Sequence, residues 1–167
     1  MDEPLAIVGY MGSGKSTIGR LLAGALKCEL VDLDRAVVKK AGKEIPEIFA
    51  RCGEEAFRDL EHEALLEALD GGAPRVVACG GGVVVRPENR ALLRDVRTVF
   101  LREDTDVLYR RTRAPGRPLR AASREEFESR YRERLPLYRE VADLEVGVDG
   151  RQPSRVAEEV LGCLSKR

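Results

Sequence analysis

The sequence predicts an α/β fold, a five-stranded parallel sheet with helices on both faces. Strand and helix signals alternate along all 167 residues, with no internal repeat and no low-complexity linker. The strand signals are short apolar runs near residues 5–9, 30–34, 75–79, 97–101 and 143–148, the pattern of strands covered on both faces. The first strand runs directly into a glycine-rich turn that opens a helix, Gly9-Tyr10-Met11-Gly12-Ser13-Gly14-Lys15-Ser16. A chain of this length fits one domain, residues 1–167, with a full hydrophobic core.

The first strand signal, Leu5-Ala6-Ile7-Val8, is short and wholly apolar. After the turn, Ile18, Leu21, Leu22, Ala25 and Leu26 put one apolar stripe on a helix. The turn between them has the form G-x-x-x-x-G-K-[ST], so strand, loop and helix stand in the order that a phosphate-binding loop requires. This places the chain among P-loop nucleoside-triphosphate binders. Gly12, Ser13, Gly14, Lys15, Ser16 and Thr17 are the expected nucleotide contacts. Backbone N–H groups and the helix N-terminus face the phosphates, and Lys15 reaches the β and γ phosphates. The Ser16 hydroxyl is expected to ligate Mg²⁺.

The second strand signal ends in Asp32-Leu33-Asp34. If the strand continues through them, both carboxylates point to one side, toward the phosphate end of the sheet. One then serves Mg²⁺ through its water shell and the other meets an acceptor hydroxyl. The plain alternative is that Asp34 caps the following helix. In the helical stretch 54–69, Phe57, Leu60, Ala64 and Ala68 supply an inward stripe, and Arg58 and Glu61 stand beside it at i and i+3. That pair is either a surface ion pair or an Arg held in place to grip a substrate carboxylate. The third strand signal ends in Gly80-Gly81-Gly82, where a ligand can pack on main chain.

Residues 110–140 differ in character, carrying ten arginines, Pro115-Gly116, Pro118 and a polar helical run to Tyr138. The segment is expected to be a mobile lid, about residues 112–124 at its centre, and not part of the core.

Composition removes several function classes. With 29 basic and 29 acidic residues the net charge is zero, so no global field favours nucleic acid or an anionic membrane. Cys28, Cys52, Cys79 and Cys163 have no metal-binding or redox spacing, consistent with a reducing, cytoplasmic setting. No signal peptide, membrane span or lipidation signal is expected. A GTPase would need Asn-Lys-x-Asp, and the sole asparagine, Asn89, precedes Arg90. A motor-type ATPase would need a carboxylate after an apolar strand, where this chain has Gly80-Gly81-Gly82. A small-molecule kinase of the nucleoside-monophosphate-kinase type remains, with a monomer as the simplest state.

The chain closely resembles the shikimate kinase family. The likeness rests on Gly9 to Arg20, Asp32-Leu33-Asp34, Phe57-Arg58-x-x-Glu61, Gly80 to Gly82, Arg117-Pro118-Leu119 and Arg134-x-Pro136-Leu137-Tyr138, in that order and spacing. The resemblance implies transfer of the ATP γ-phosphate to the 3-hydroxyl of shikimate, on the route to chorismate and the aromatic amino acids. It implies that Lys15, Asp34 and Arg117 are catalytic, with Asp34 binding the substrate hydroxyls. Arg58 and Arg134 would hold the ring carboxylate, and Gly80, Gly81 and Gly82 would pack on the ring. Arg110 and Arg151 would flank the nucleotide base, Ser16 would ligate Mg²⁺ directly, and Asp32 would act through water. Cys79 departs from the Thr or Ser common before the triple glycine, and Arg120 replaces the last Leu of the lid motif.

Overall fold

The computed structural model describes residues 3–70, 73–112 and 123–165. Five parallel strands form one sheet: β1 (Leu5–Val8), β2 (Glu29–Asp32), β3 (Arg75–Ala78), β4 (Arg97–Arg102) and β5 (Leu144–Gly147). Their order is β2-β3-β1-β4-β5. Leu5 on the central strand is in register with Val76 on one side and Arg97 on the other. Each strand lies within two residues of its predicted bounds, because short β-branched runs between turn residues leave little room for error. β1 connects outward past β3, and β3 connects outward past β1, so their carboxyl ends flank the crevice where such sheets bind ligands.

Seven helices surround the sheet among the described residues: α1 (Lys15–Leu26), α2 (Leu33–Ala41), α3 (Ile45–Leu69), α4 (Pro87–Arg94), α5 (Thr105–Thr112), α6 (Arg124–Val141) and α7 (Pro153–Leu164). Alternation along β1 divides the core in two. Leu5 and Ile7 join Ile18 and Leu22 of α1 with Val156 and Val160 of α7. Ala6 and Val8 join Leu33 and Val37 of α2, Phe57 and Leu65 of α3, and Phe127 and Tyr138 of α6. Helices therefore cover both faces, as expected of a P-loop kinase sheet.

Two expectations need correction. The strand at 30–34 stops at Asp32, whose side chain accepts from Arg35 N and caps α2. Asp34 thus sits in the first helical turn and not on a strand. The helix N-cap is Asp32, because its carboxylate satisfies a backbone donor left open by the helix start.

The second correction concerns the arginine-rich segment. Its later part is not a lid: α6 buries Phe127, Tyr131, Tyr138 and Val141 in the core. Those residues recur at helical spacing, but charged neighbours dilute the stripe in a window average. Arg134 falls on the same inward stripe, which turns it toward the sheet. Ser123 caps α6 by accepting from Glu126 N at 3.1 Å. Residues 113–122 of the expected lid, including Arg117 and Arg120, lie outside the described residues.

Candidate active site

A cleft of about 850 Å³ opens at the carboxyl ends of β1 and β3. Gly12, Lys15, Ser16, Thr17, Asp32 and Asp34 line one part. Arg58, Glu61, Gly80, Gly81, Gly82 and Arg134 line the other, so most of the predicted site residues come together.

The phosphate loop is set by its glycines and by Lys15. Gly14 caps α1 at φ 89°, ψ 17°, a left-handed conformation that glycine alone adopts without strain. Lys15 Nζ donates to Gly9 O at 2.8 Å and to Tyr10 O at 2.9 Å, which holds the ammonium over the loop. Ser16 Oγ donates to Asp32 Oδ2 at 2.7 Å, joining the start of α1 to the end of β2. The Ser13 side chain is fully buried and its Oγ has no hydrogen-bond partner among the described residues, so any contact it makes to a phosphate runs through its backbone N–H.

Mg²⁺ asks for one or two protein oxygens and fills its remaining positions with water and phosphate. A hydroxyl and a carboxylate side by side beside the phosphate loop fit that requirement. No group of three or more His, Cys, Asp or Glu among the described residues forms a closed metal cage.

The other half of the cleft is built on a buried ion pair. Arg58 is 8% exposed, and its Nη1 donates to Glu61 Oε2 at 2.7 Å, with Nη2 reaching Glu54 Oε1 at 3.2 Å. Arg58 and Glu61 are therefore not the surface pair that spacing alone allowed. Burial opposes the charge on Arg58, but Glu61 and Glu54 outweigh it and raise its pKa further above the neutral range. Arg58 Nε and Glu61 Oε1 are buried without partners, so the pair keeps unspent polar capacity. A Cβ on Gly82 would stand 2.7 Å from Arg58 Cζ, so only glycine leaves the guanidinium its place.

Two carboxylates meet at Gly80. A Cβ there would lie 2.8 Å from Glu61 Oε1 and 2.9 Å from Asp34 Oδ1. Burial raises the pKa of Asp34; Lys15 and Arg58 pull it down, and Asp32 pushes it up. Glu61 is also raised by burial, against the attraction of Arg58. Cys79 forms part of the cleft floor, and burial pushes its thiol up to about 12.

A second polar link braces this half. Asn89 Nδ2 donates to Val83 O at 2.9 Å, which leaves Asn89 Oδ1 to accept from His62 Nδ1 at 2.6 Å. The only histidine, one residue beyond Glu61, thereby ties α3 to the turn that follows the triple glycine. Tyr138 OH donates to Gly81 O, as does Arg134 Nη1 at 3.3 Å.

Arg110 and Arg151 are not among the described residues that line the cleft. Arg110 is exposed, with Nε donating to Asp106 O at 3.3 Å. Arg151 is turned toward Gly147 O at 3.0 Å and Glu159 at 2.6 Å. The arginine on α5 that reaches the phosphate loop is Arg111, with Nη1 at 3.1 Å from Gly12 O and 3.3 Å from Glu103. Sequence reasoning missed it because 23 of the 29 basic residues are arginine, so one more carries no signal. The structure supplies the reason that the sequence does not announce: Glu103, two residues before α5, is buried, and a buried carboxylate needs a cation or donors.

A sequence model of the shikimate kinase family matches residues 11–165. A shikimate kinase of Thioalkalivibrio sulfidiphilus is 44% identical over 160 residues, covering 93% of this chain and 84% of that protein. One of Streptococcus gordonii is 40% identical over 163 residues, covering 95% and 98%. The solved structure of shikimate kinase from Acinetobacter baumannii in complex with shikimate superposes with a TM-score of 0.92 at 33% identity, covering 98% of this chain and 93% of that one. With the phosphate loop, Asp34, Arg58 and Arg134 gathered in one cleft, and with matches over nearly its whole length, this chain belongs to the shikimate kinase family.

Proposed function

We propose that the protein transfers the γ-phosphoryl group of ATP to the 3-hydroxyl of shikimate, giving shikimate 3-phosphate and ADP. One observation carries the acceptor assignment: two guanidinium groups flank the triple-glycine loop, Arg58 against Gly82 and Arg134 on Gly81 O. Two such groups suit a planar carboxylate, which a simple polyol or a nucleoside lacks.

In this reading the cleft holds both substrates. The loop from Gly12 to Thr17 cradles the phosphates, and Lys15 stabilises charge on the transferring group. Ser16 and Asp32 would hold Mg²⁺, which supplies charge neutralisation at the phosphates when bound. Arg58 and Arg134 fix the acid end of the acceptor, and Gly80 to Gly82 let the ring approach the backbone. Asp34 then accepts the hydrogen bond of the hydroxyl. As the hydroxyl oxygen bonds to the γ-phosphorus, the bond to the β,γ-bridging oxygen breaks and ADP departs. The hydroxyl proton passes to Asp34, whose raised pKa brings it closer to working pH than an ordinary aspartate. Such a loose transfer depends mainly on alignment and electrostatics, the two things these residues supply.

All four cysteines are free, and no helix among the described residues is long and apolar enough to cross a membrane. We read the protein as one catalytic domain acting as a cytoplasmic monomer, which sedimentation of the purified chain tests. ADP release measured with shikimate, gluconate and nucleoside monophosphates tests the acceptor. The expected result is turnover with shikimate alone, and phosphorus NMR of the product locates the ester on the 3-oxygen. Background rates with shikimate would overturn the assignment.

A further inference from the structure

Tyr10 lies inside the phosphate loop, yet its side chain packs into the core against α6, the helix that carries Arg134. Its main chain belongs to the nucleotide side: Tyr10 O accepts from Lys15 Nζ at 2.9 Å and from Ser13 N at 3.2 Å. Its ring is fully buried and held edge-on by Phe127 at 4.9 Å and by Tyr131 at 5.4 Å between centroids. The hydroxyl donates to Phe127 O at 3.2 Å. Three contacts thus fix the plane of the ring against α6. Over that ring stands Arg134, its Cζ 5.5 Å from the centroid, within the range of a cation–π contact. The same guanidinium donates to Gly81 O. Gly81 in turn packs on the loop, since a Cβ there would stand 3.2 Å from Met11 N.

We propose that Tyr10 is a positioning residue for the acceptor: the face of its ring sets the place of Arg134, so that the loop which grips ATP also fixes the group which grips the substrate carboxylate. The inference rests on the functional reading above and adds to it a residue outside the acceptor loops. A ring at this position offers Arg134 a preorganised, partly dry surface. An aliphatic side chain fills similar space with no negative face. The contact therefore acts on the affinity for the acceptor and leaves the phosphate-binding amides alone.

The test is steady-state kinetics on Tyr10→Phe and Tyr10→Leu, with thermal melts alongside. Tyr10→Phe keeps the ring and loses only the hydroxyl bond, so its KM for shikimate stays within about twofold, whereas Tyr10→Leu raises that KM roughly three- to thirtyfold. KM for ATP is unmoved in both. Because the leucine variant can lose packing, phenylalanines with increasing ring fluorination at position 10 provide a second series at nearly constant size. Each added fluorine weakens the negative ring face, and log KM for shikimate is expected to climb with it. A flat fluorination series overturns the proposal, and so does a Tyr10→Phe variant as impaired as Tyr10→Leu. If the unaltered protein releases no ADP with shikimate, the functional reading falls and this inference with it. Turnover with a flat series removes only the role of Tyr10.

Discussion

Ser16 Oγ and Asp32 Oδ2 are 2.7 Å apart, so a hydroxyl on the first turn of α1 and the carboxylate that caps α2 share one hydrogen bond. Asp32 therefore has two separable duties. Asn caps helices about as well as Asp, while Ala loses about 1 kcal/mol. Asp32→Asn is expected to melt near the unaltered protein and to need more Mg²⁺ for half-maximal ADP release. Asp32→Ala should show the same Mg²⁺ defect with a lower melting temperature. An asparagine variant with unchanged Mg²⁺ dependence would overturn the proposal that Asp32 serves Mg²⁺.

Asp34 provides a prediction on pH. Burial raises its folded-state pKa above the unfolded value, so the native chain holds this proton more tightly. The stability linked to that proton is fully present below the unfolded pKa, about 3.9, and is lost as pH rises through the folded value. At neutral pH the ionised carboxylate is thus a cost, and Asp34→Asn is expected to raise the melting temperature. The gain should fade as the medium approaches pH 4. Transfer to shikimate should fall by roughly 10²- to 10⁴-fold while ATP binding persists. A variant that is inactive but no more stable at pH 7 would contradict the burial argument.

Arg58 can be displaced without being mutated. Gly82→Ala puts a methyl carbon against a guanidinium already pinned by Glu61, and the guanidinium must move. Loss of one charged hydrogen bond to the acceptor is worth roughly 1.5–3 kcal/mol, so KM for shikimate should rise by about ten- to a hundredfold. The ATP constants are expected to stay put. Equal damage to both substrates would mean that the loop itself had collapsed.

Arg111 and Glu103 form the pair that sequence reading overlooked. Glu103 is buried and also receives Asp104 N at 3.0 Å, while Arg111 joins it to Gly12 O. Arg111→Ala leaves the carboxylate short of its cation and should cost about 1–3 kcal/mol in denaturant unfolding. KM for ATP should rise, because the second glycine of the loop loses its brace. Adding Glu103→Gln removes the uncompensated charge and should restore most of the stability but not the ATP affinity. Recovery of both would show that Arg111 acts on the loop only through folding.

The sheet was legible because its three inner strands are apolar and buried, its edge strands β2 and β5 keep short apolar runs, and turn residues bound them all. The phosphate loop was legible because its glycines and Lys15 have a fixed spacing. Asp32 and Asp34 were found by their place at a strand end, although the local structure was misjudged: one hydrogen bond to Arg35 N turns strand into helix two residues early. The burial of α6 was hidden by its own surface, since Arg and Glu outnumber Phe127, Tyr131 and Tyr138. Tyr10 was invisible for a different reason. Its value lies in Phe127, Tyr131 and Arg134, all more than 110 residues away, and nothing local announces a contact of that range.

Cys79 brings sulfur chemistry to the centre of the enzyme. At about 12, its thiol supplies almost no thiolate at neutral pH, and its burial keeps reagents away. Cys52, exposed on α3 and absent from the cleft lining, is the accessible alternative. Alkylation with iodoacetamide at pH 7 is therefore expected to mark Cys52 first while kinase activity survives. An electrophilic inhibitor aimed at the cleft will gain little from this sulfur. A thiol this buried leaves the cleft floor resistant to oxidants that would disable a more exposed cysteine.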